Sequence, residues 1–177
     1  SKLSGDEQGI IFSQLCNALD PGVAVNFGST GSELRALTQA LLLQLRADHD
    51  VAAALCHKLG MRSCKELREA KQVRWYNKGL SAADLALLGT LGSVLPALES
   101  LDLIEPAVGT DGVQRLAAGL GAGALPAVTF LNISSTHVGD AGASALAAAL
   151  GRGALLRLKT LSLSGSTAIG NAGLVAL

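Results

Sequence analysis

Apolar positions return along the second half of the chain with a fixed period. The phrase ALESLDL at residues 97–103 recurs as AVTFLNI at 127–133 and as RLKTLSL at 157–163. Leu101, Leu131 and Leu161 stand thirty apart by subtraction, as do Leu103, Ile133 and Leu163. Self-similarity at such a period marks an array of stacked units. Within each phrase the apolar residues are Leu98, Leu101 and Leu103, then Val128, Leu131 and Ile133, then Leu158, Leu161 and Leu163. The last two of each set are two apart, so both side chains leave the same face of a short strand. Helical spacing follows. Leu116 with Leu120, and Leu146 with Leu150 beside Ala143, Ala147 and Ala148, each make one apolar stripe. Gly112 and Gly142 fall at matching places, where a tight strand-to-helix turn is expected. One unit cannot cover its own apolar face, so neighbours must cover it.

The phrase resembles the leucine-rich repeat, L-x-x-L-x-L-x-x-N/C. The segment Val138-Gly139-Asp140-Ala141-Gly142, followed by an Ala/Leu helix, is similar to the long ribonuclease-inhibitor subtype. The resemblance covers about residues 73–177. It implies an α/β solenoid, with parallel strands on a concave face and helices on the convex face. Where the family places an Asn or Cys that caps turn backbone, this chain has Pro106, Thr136 and Ser166. A hydroxyl takes over part of that bonding. Proline cannot, so the loop over residues 104–110 is expected to be irregular. The step from Gly139 to Gly170 exceeds the period by one, which predicts a single insertion in the last unit.

Residues 1–70 do not follow the period and read as a separate all-α N-terminal domain, with the repeats over 71–177. Ser4 with Glu7, Thr30 with Glu33 and Ser63 with Glu66 have the spacing of capping boxes. The expected helices run to about Leu19 with Ile11, Leu15 and Leu19 buried, from Pro21 to Phe27, and from Thr30 to about Asp48. In the last of these Leu34, Leu37, Leu41 and Leu45 share a face. A further helix, capped by Asp50, is expected through Leu59 and closed by Gly60, with Val51, Leu55 and Leu59 as its stripe, and a short one to Ala70. Such a domain would close the open end of the array. Residues 3 to about 40 also resemble an F-box, a helical module that docks on a ubiquitin-ligase adaptor. The resemblance rests on Leu3, Ile10, Ile11 and Leu15, the Leu19-Asp20-Pro21 turn, and Leu34-Arg35 with Leu37. Ser4 stands where the family has Pro, and Leu34 where it has Trp. By that resemblance Ile11, Leu15, Leu19 and Pro21 would touch the adaptor. A plain helical cap is the other reading.

Composition narrows the function classes. Hydrophobic residues make up 49% and aromatics 3%, so the interior must be aliphatic. Fourteen basic and 14 acidic residues balance, which argues against nucleic acid as a partner. No apolar run is long enough for a membrane span. The chain ends at Leu177 inside a helix, without the polar cap an array needs, so an excerpt of a longer protein is expected. Three cysteines, Cys16, Cys56 and Cys64, are few and odd in number, which fits a reducing, intracellular and cytoplasmic setting. Cys56 and His57 are neighbours on a helix and point about 100° apart. No C-x-x-C or H-x-x-x-H spacing exists, and the glycine-rich stretch 119–123 lacks a P-loop lysine. Neither an enzyme, a metal nor a cofactor is expected.

Surface remains. Counting back by 30 from the repeat phrases gives three outward columns. They are Ala70, Ser100, Phe130 and Thr160; Gln72, Asp102, Asn132 and Ser162; and Arg74, Ile104, Ser134 and Ser164. Phe130 and Ile104 are apolar inside a polar rim, the plan of an interface. The function expected is a non-enzymatic protein-binding scaffold, with Arg74, Asp102, Phe130 and Asn132 as leading contacts. Alternatives are an F-box substrate receptor and a structural subunit of a larger assembly. Trp75 and Tyr76 sit where the two parts meet, either packed between them or exposed as an anchor.

Overall fold

The structure, a computed structural model, describes residues 16–28, 32–166 and 168–177. The capping box at Ser4 and Glu7, Ile11, Leu15, and Thr30 of the second box lie outside these residues. Among the described residues three helices precede the strands: α1 (Gly22–Gly28), α2 (Ser32–Lys58) and α3 (Cys64–Glu69). Four strands then alternate with four helices. These are β1 (Gln72–Tyr76), α4 (Ala82–Leu91), β2 (Ser100–Ile104), α5 (Gly109–Gly119), β3 (Phe130–Asn132), α6 (Gly139–Gly151), β4 (Thr160–Ser162) and α7 (Asn171–Ala176). The strands form one parallel sheet in the order β1-β2-β3-β4. One face of the sheet shares a buried interior with the helices; the other is open.

The repeat pattern sets this arrangement directly. Leu101 pairs with Leu131 and Leu131 with Leu161 across the sheet. Leu98, Leu101, Leu103, Val128, Leu131 and Ile133 are fully buried, together with Leu116, Leu120 and Leu146 from the helices. On α6 the buried side is Ala143, Leu146 and Ala149, while Ala148 is exposed. Before each strand the chain makes the same backbone bond to its neighbour: Glu99 N donates to Lys71 O (2.7 Å), Thr129 N to Glu99 O (2.8 Å) and Lys159 N to Thr129 O (2.9 Å).

The helical layer is held by close approach and by caps shared between units. Gly89 of α4 faces Gly119 of α5. A Cβ on Gly119 would lie 2.8 Å from the Ala86 carbonyl oxygen, and one on Gly89 would overlap the Leu116 carbonyl oxygen. Gly112 and Gly142 serve packing too, which corrects their expected role as turn residues. The glycines that are left-handed in these turns are Gly109 (φ 64°) and Gly139 (φ 63°), the latter with Ser135 and His137 also at positive φ, whereas Gly112 and Gly142 lie in the first turn of each helix and leave room for Val108 and Val138. Asp140 Oδ1 accepts from Gly170 N (2.6 Å) and Gly173 N (3.0 Å) at the start of the next helix. Arg152 Nη2 donates to Ala117 O (3.0 Å) at the end of the preceding one. An acid at a helix start and a cation at a helix end both oppose the helix dipole.

The N-terminal part differs from expectation in several respects: residues 16–20, expected to end a helix near Leu19, are loop and turn. The chain does not break near Asp50; α2 runs on to Lys58. No Gly or Pro interrupts residues 48–50, and Gln44 Nε2 bonds to Asp48 Oδ1 one turn on (2.8 Å). The buried side of α2 includes Leu45, Ala52, Leu55 and Cys56, with Leu59 buried just past its end, while Leu41 and Val51 face outward. Gly60 (φ 83°) ends it, with Gly60 N donating to His57 O and Met61 N to Cys56 O, the Schellman pattern. Ser63 caps α3 by accepting from Glu66 N (3.2 Å), while Glu66 Oε2 accepts from Arg62 N rather than completing the box. A full capping box does occur at Ser81 and Asp84. Lys58 Nζ reaches the same carboxylate at 2.5 Å and ties α2 to α4.

Close packing and the shared carboxylate can each be tested by substitution. Replacing a helical glycine by alanine ordinarily gains about 1 kcal/mol. At Gly119 the new methyl meets backbone that cannot yield, so Gly119→Ala should lose roughly 1–3 kcal/mol in urea unfolding. Gly121→Ala, with nothing near its Cβ position, should stay neutral or gain a few tenths. At Asp84, burial pushes the carboxyl pKa up, but bonds from Lys58 and Ser81 outweigh it and hold the pKa below its ordinary value. That stability is present above the unfolded pKa of about 3.9 and is lost as pH falls through the lower folded value. Asp84→Asn should therefore be about 1 kcal/mol less stable at pH 7, with the gap closing below about pH 4.

Candidate functional site

The open face of the sheet carries the outward columns, but the first strand is set two positions from where the period places it. Gln72 pairs with Ser100 and Ser100 pairs with Phe130, so the first step along the chain is two shorter than the second. The shortening lies in the helical half of the first unit. The step from Ala82 to Ser100, where α4 and β2 begin, is three shorter than that from Gly109 to Phe130, where α5 and β3 begin. Ala70 therefore leaves the columns and serves as the C-cap of α3. The observed columns are Gln72, Ser100, Phe130 and Thr160; Arg74, Asp102, Asn132 and Ser162; and Tyr76 beside Ile104, with Ser134 and Ser164 beyond the ends of the shorter strands. Trp75 and Tyr76 are separated by the pleat. Trp75 aligns with Leu103 and is buried, while Tyr76 stands outward and is 69% exposed.

The middle column is a chain of polar contacts. Asn132 Nδ2 donates to Asp102 Oδ1 (2.7 Å), and Arg74 Nε lies 3.9 Å from Asp102 Oδ2. Asn132 Oδ1 accepts from Ser134 N (3.0 Å) and from the Ser134 hydroxyl. Ser134 Oγ lies 3.1 Å from Ser162 Oγ, which lies 3.4 Å from Ser164 Oγ. Asp102 and Asn132 are thus largely engaged with each other, and Ser134 is buried. The Arg74 side chain is 86% exposed and keeps most of its donors toward solvent. Apolar groups flank this line, with Tyr76 and Ile104 on one side and Phe130 on the other. Phe130 is 36% exposed.

The loops at the strand ends are held by side chains that turn inward. Thr136 is fully buried and its Oγ1 donates to Ile133 O (2.6 Å). In the loop after β2, Pro106 is exposed and Glu105 turns inward, its Oε1 accepting from Lys78 N, and the loop closes on a turn bond from Val108 N to Glu105 O (3.1 Å). Among the described residues, Glu105 Oε2 and Ser166 Oγ are buried without a hydrogen-bond partner.

Cys56 is buried and His57 exposed. Burial, then the neighbouring Cys64, push the Cys56 thiol up to about 12, so its resting form near neutral pH is the thiol. His137 is exposed in a turn. Among the described residues, no group of three His, Cys, Asp or Glu side chains could hold a metal, and no helix is long and apolar enough to cross a membrane. A groove of about 390 Å³ lies between α2 and α4, lined in part by Leu45, Asp48, Val51, Leu87 and Leu91. Of the F-box-like positions, Leu19 is buried in the main core and Pro21 is half-buried.

The family described as Leucine Rich repeat matches residues 126–147 and 158–177. No curated protein and no solved structure matches the chain. The match spans β3 with the first part of α6, and β4 with α7. These are the units without the shortened helical half and without Glu105-Pro106.

The bonding on this face separates framework from free surface. Asn132→Ala removes the donor to Asp102 and the acceptor for Ser134, and should lower stability by about 1–2 kcal/mol in denaturant unfolding. Thr160→Ala, at an exposed position of the edge strand, should stay within about 0.5 kcal/mol of the parent.

Proposed function

We propose that this leucine-rich repeat chain is a non-enzymatic scaffold that binds a protein partner across the open face of its sheet. Leucine-rich repeat domains generally serve as protein interaction modules, and the side chains exposed here fit that use. The observation that carries the reading is Arg74 and Tyr76, exposed side by side on β1 next to Ile104, with Phe130 across a line of satisfied polar groups. Tyrosine and arginine dominate the energetics of interfaces because they bring large contact area and directed donors. The polar line between them supplies a hydrated rim and holds Asp102 and Asn132 in place. Arg74, Tyr76, Ile104 and Phe130 would make the main contacts, with Gln72, Ser100, Thr160 and Ser162 at the edges. Asp102, Asn132 and Ser134 would act chiefly by positioning them.

The architecture proposed with this function is a ribonuclease-inhibitor-like solenoid over residues 71–177, preceded by a helical unit over residues 1–70. The long α5 and α6 between short strands support the subtype. The turn between Glu69 and Gln72 supports the boundary. The burial of Leu55, Leu59 and Leu67 in one core with Val73 and Trp75 supports a capping role for the helices. That role is preferred to the F-box alternative, because Leu19 is used in the interior.

The test uses the full chain as bait for affinity capture from cell extract, followed by mass spectrometry. Partners captured by the parent should fall at least about 30-fold with Tyr76→Ala/Phe130→Ala, which removes two interface anchors. They should be kept with His137→Ala in a repeat loop, both variants melting like the parent. Equal capture by all three proteins, or equal loss in both variants, would overturn the reading.

A further inference from the structure

Two of the three cysteines lie against each other where α2 ends and α3 begins. Cys56 Sγ and Cys64 Sγ are 3.7 Å apart, and both residues are buried, Cys56 at 1% and Cys64 at 5% exposure. Both stand as free thiols in this structure. The backbone that carries them is fixed at both ends. Cys56 O accepts from Met61 N in the Schellman turn, and Cys64 is the first residue of α3, directly after the Ser63 cap. Neither sulfur has to be brought in by a moving loop. The two sulfurs have to close from 3.7 Å to the bond length of about 2.05 Å.

We propose that Cys56 and Cys64 form an intramolecular disulfide that clips the end of α2 to the start of α3, made by exchange with a low-molecular-weight disulfide of the glutathione type. The Cys64 thiolate attacks one sulfur of that disulfide, forming a mixed disulfide and expelling one thiol. Cys56 then gives up its proton and attacks Cys64 Sγ, expelling the second thiol. Two protein thiols and one small disulfide thus become one protein disulfide and two small thiols.

The surroundings favour the closed form. The pair sits among Leu55, Leu59 and Leu67 in the main core. Thiols that the protein stabilises as thiolates make oxidising, easily reduced disulfides, and apolar surroundings do the opposite. The high pKa of the Cys56 thiol agrees with that, since a poor leaving group resists reduction. The bond is therefore structural in kind, not catalytic. It also changes the meaning of the cysteine count. Three is one pair plus Cys16, and the odd number carries no message about compartment. Where the bond forms, it fastens the connection that leads into β1, and so the end of the sheet that presents Arg74 and Tyr76.

Mass spectrometry tests this on the purified full chain. The protein is held with oxidised glutathione at pH 8, in its native state and in a parallel sample refolded from denaturant. Both are then acid-quenched, unfolded, alkylated and digested with trypsin. Cleavage after Arg46, Lys58, Arg62 and Lys65 puts the two cysteines on separate peptides, residues 47–58 and 63–65. The expected result is a linked pair of these peptides, with Cys16 alkylated. The linked protein should melt about 5 °C higher than the same sample with dithiothreitol, because a nine-residue loop is closed in the unfolded chain. Cys64→Ala should abolish the linked pair and the dithiothreitol effect while keeping the circular dichroism spectrum. A linked pair in either sample supports the proposal. Three alkylated cysteines, glutathione left on one cysteine, or a bond from Cys16 in both samples would overturn it.

Discussion

Burial in this protein comes from the neighbouring unit. The same leucine position shows it at different places in the stack. Leu101 and Leu131 have a strand on each side and are 1% exposed. Leu161 is the same residue in the same register, but among the described residues β4 has a strand on one side alone, and Leu161 is only half-buried. Leu163 differs from Leu103 and Ile133 in the same way. Local sequence is shared and exposure is not, so the stabilising free energy belongs to the contacts between units.

That dependence extends from packing to polar groups. Asp140 caps the helix after its own and Arg152 the helix before it. The backbone steps from Lys71 to Glu99 to Thr129 to Lys159 join unit to unit, and so does the bond from Asn132 to Asp102 on the open face. Buried backbone and side-chain groups need partners, and here many partners lie one repeat away along the chain. A face assembled this way is rigid. Its exposed groups, Arg74, Tyr76 and Phe130, are held at spacings fixed by the strands. That rigidity is what a binding surface needs if little ordering is to accompany association.

The period is plain in the sequence, and with it the parallel order of the strands and the buried leucines from Leu98 to Leu146. The first strand is harder to place. Counting back by 30 sets Lys71 against Leu101, while Val73 stands there. The shortening lies in the helical half of the unit, where apolar residues at 3.6 spacing carry no mark of length. The displaced register hides Tyr76, although the alternation of Val73 and Trp75 with Arg74 and Tyr76 is open to reading. The box at Ser81 and Asp84 has the spacing S-x-x-D, which a search for Ser or Thr followed by Glu passes over. A break at Asp50 rests on a capping residue alone, without Gly or Pro, and a continuous helix prevails. Local bonding on the open face is not legible at all, because partners such as Asp102 and Asn132 meet only through the sheet.

Hydrogen exchange on Leu131→Ala, read unit by unit in mild denaturant, tests this account most directly. If the units share one interior, the cavity left in the middle should lower amide protection in β2 and α5 on one side and in β4 and α7 on the other, by amounts comparable to the loss in β3 and α6. Loss confined to residues 126–151, with both neighbours protected as in the parent, would contradict it.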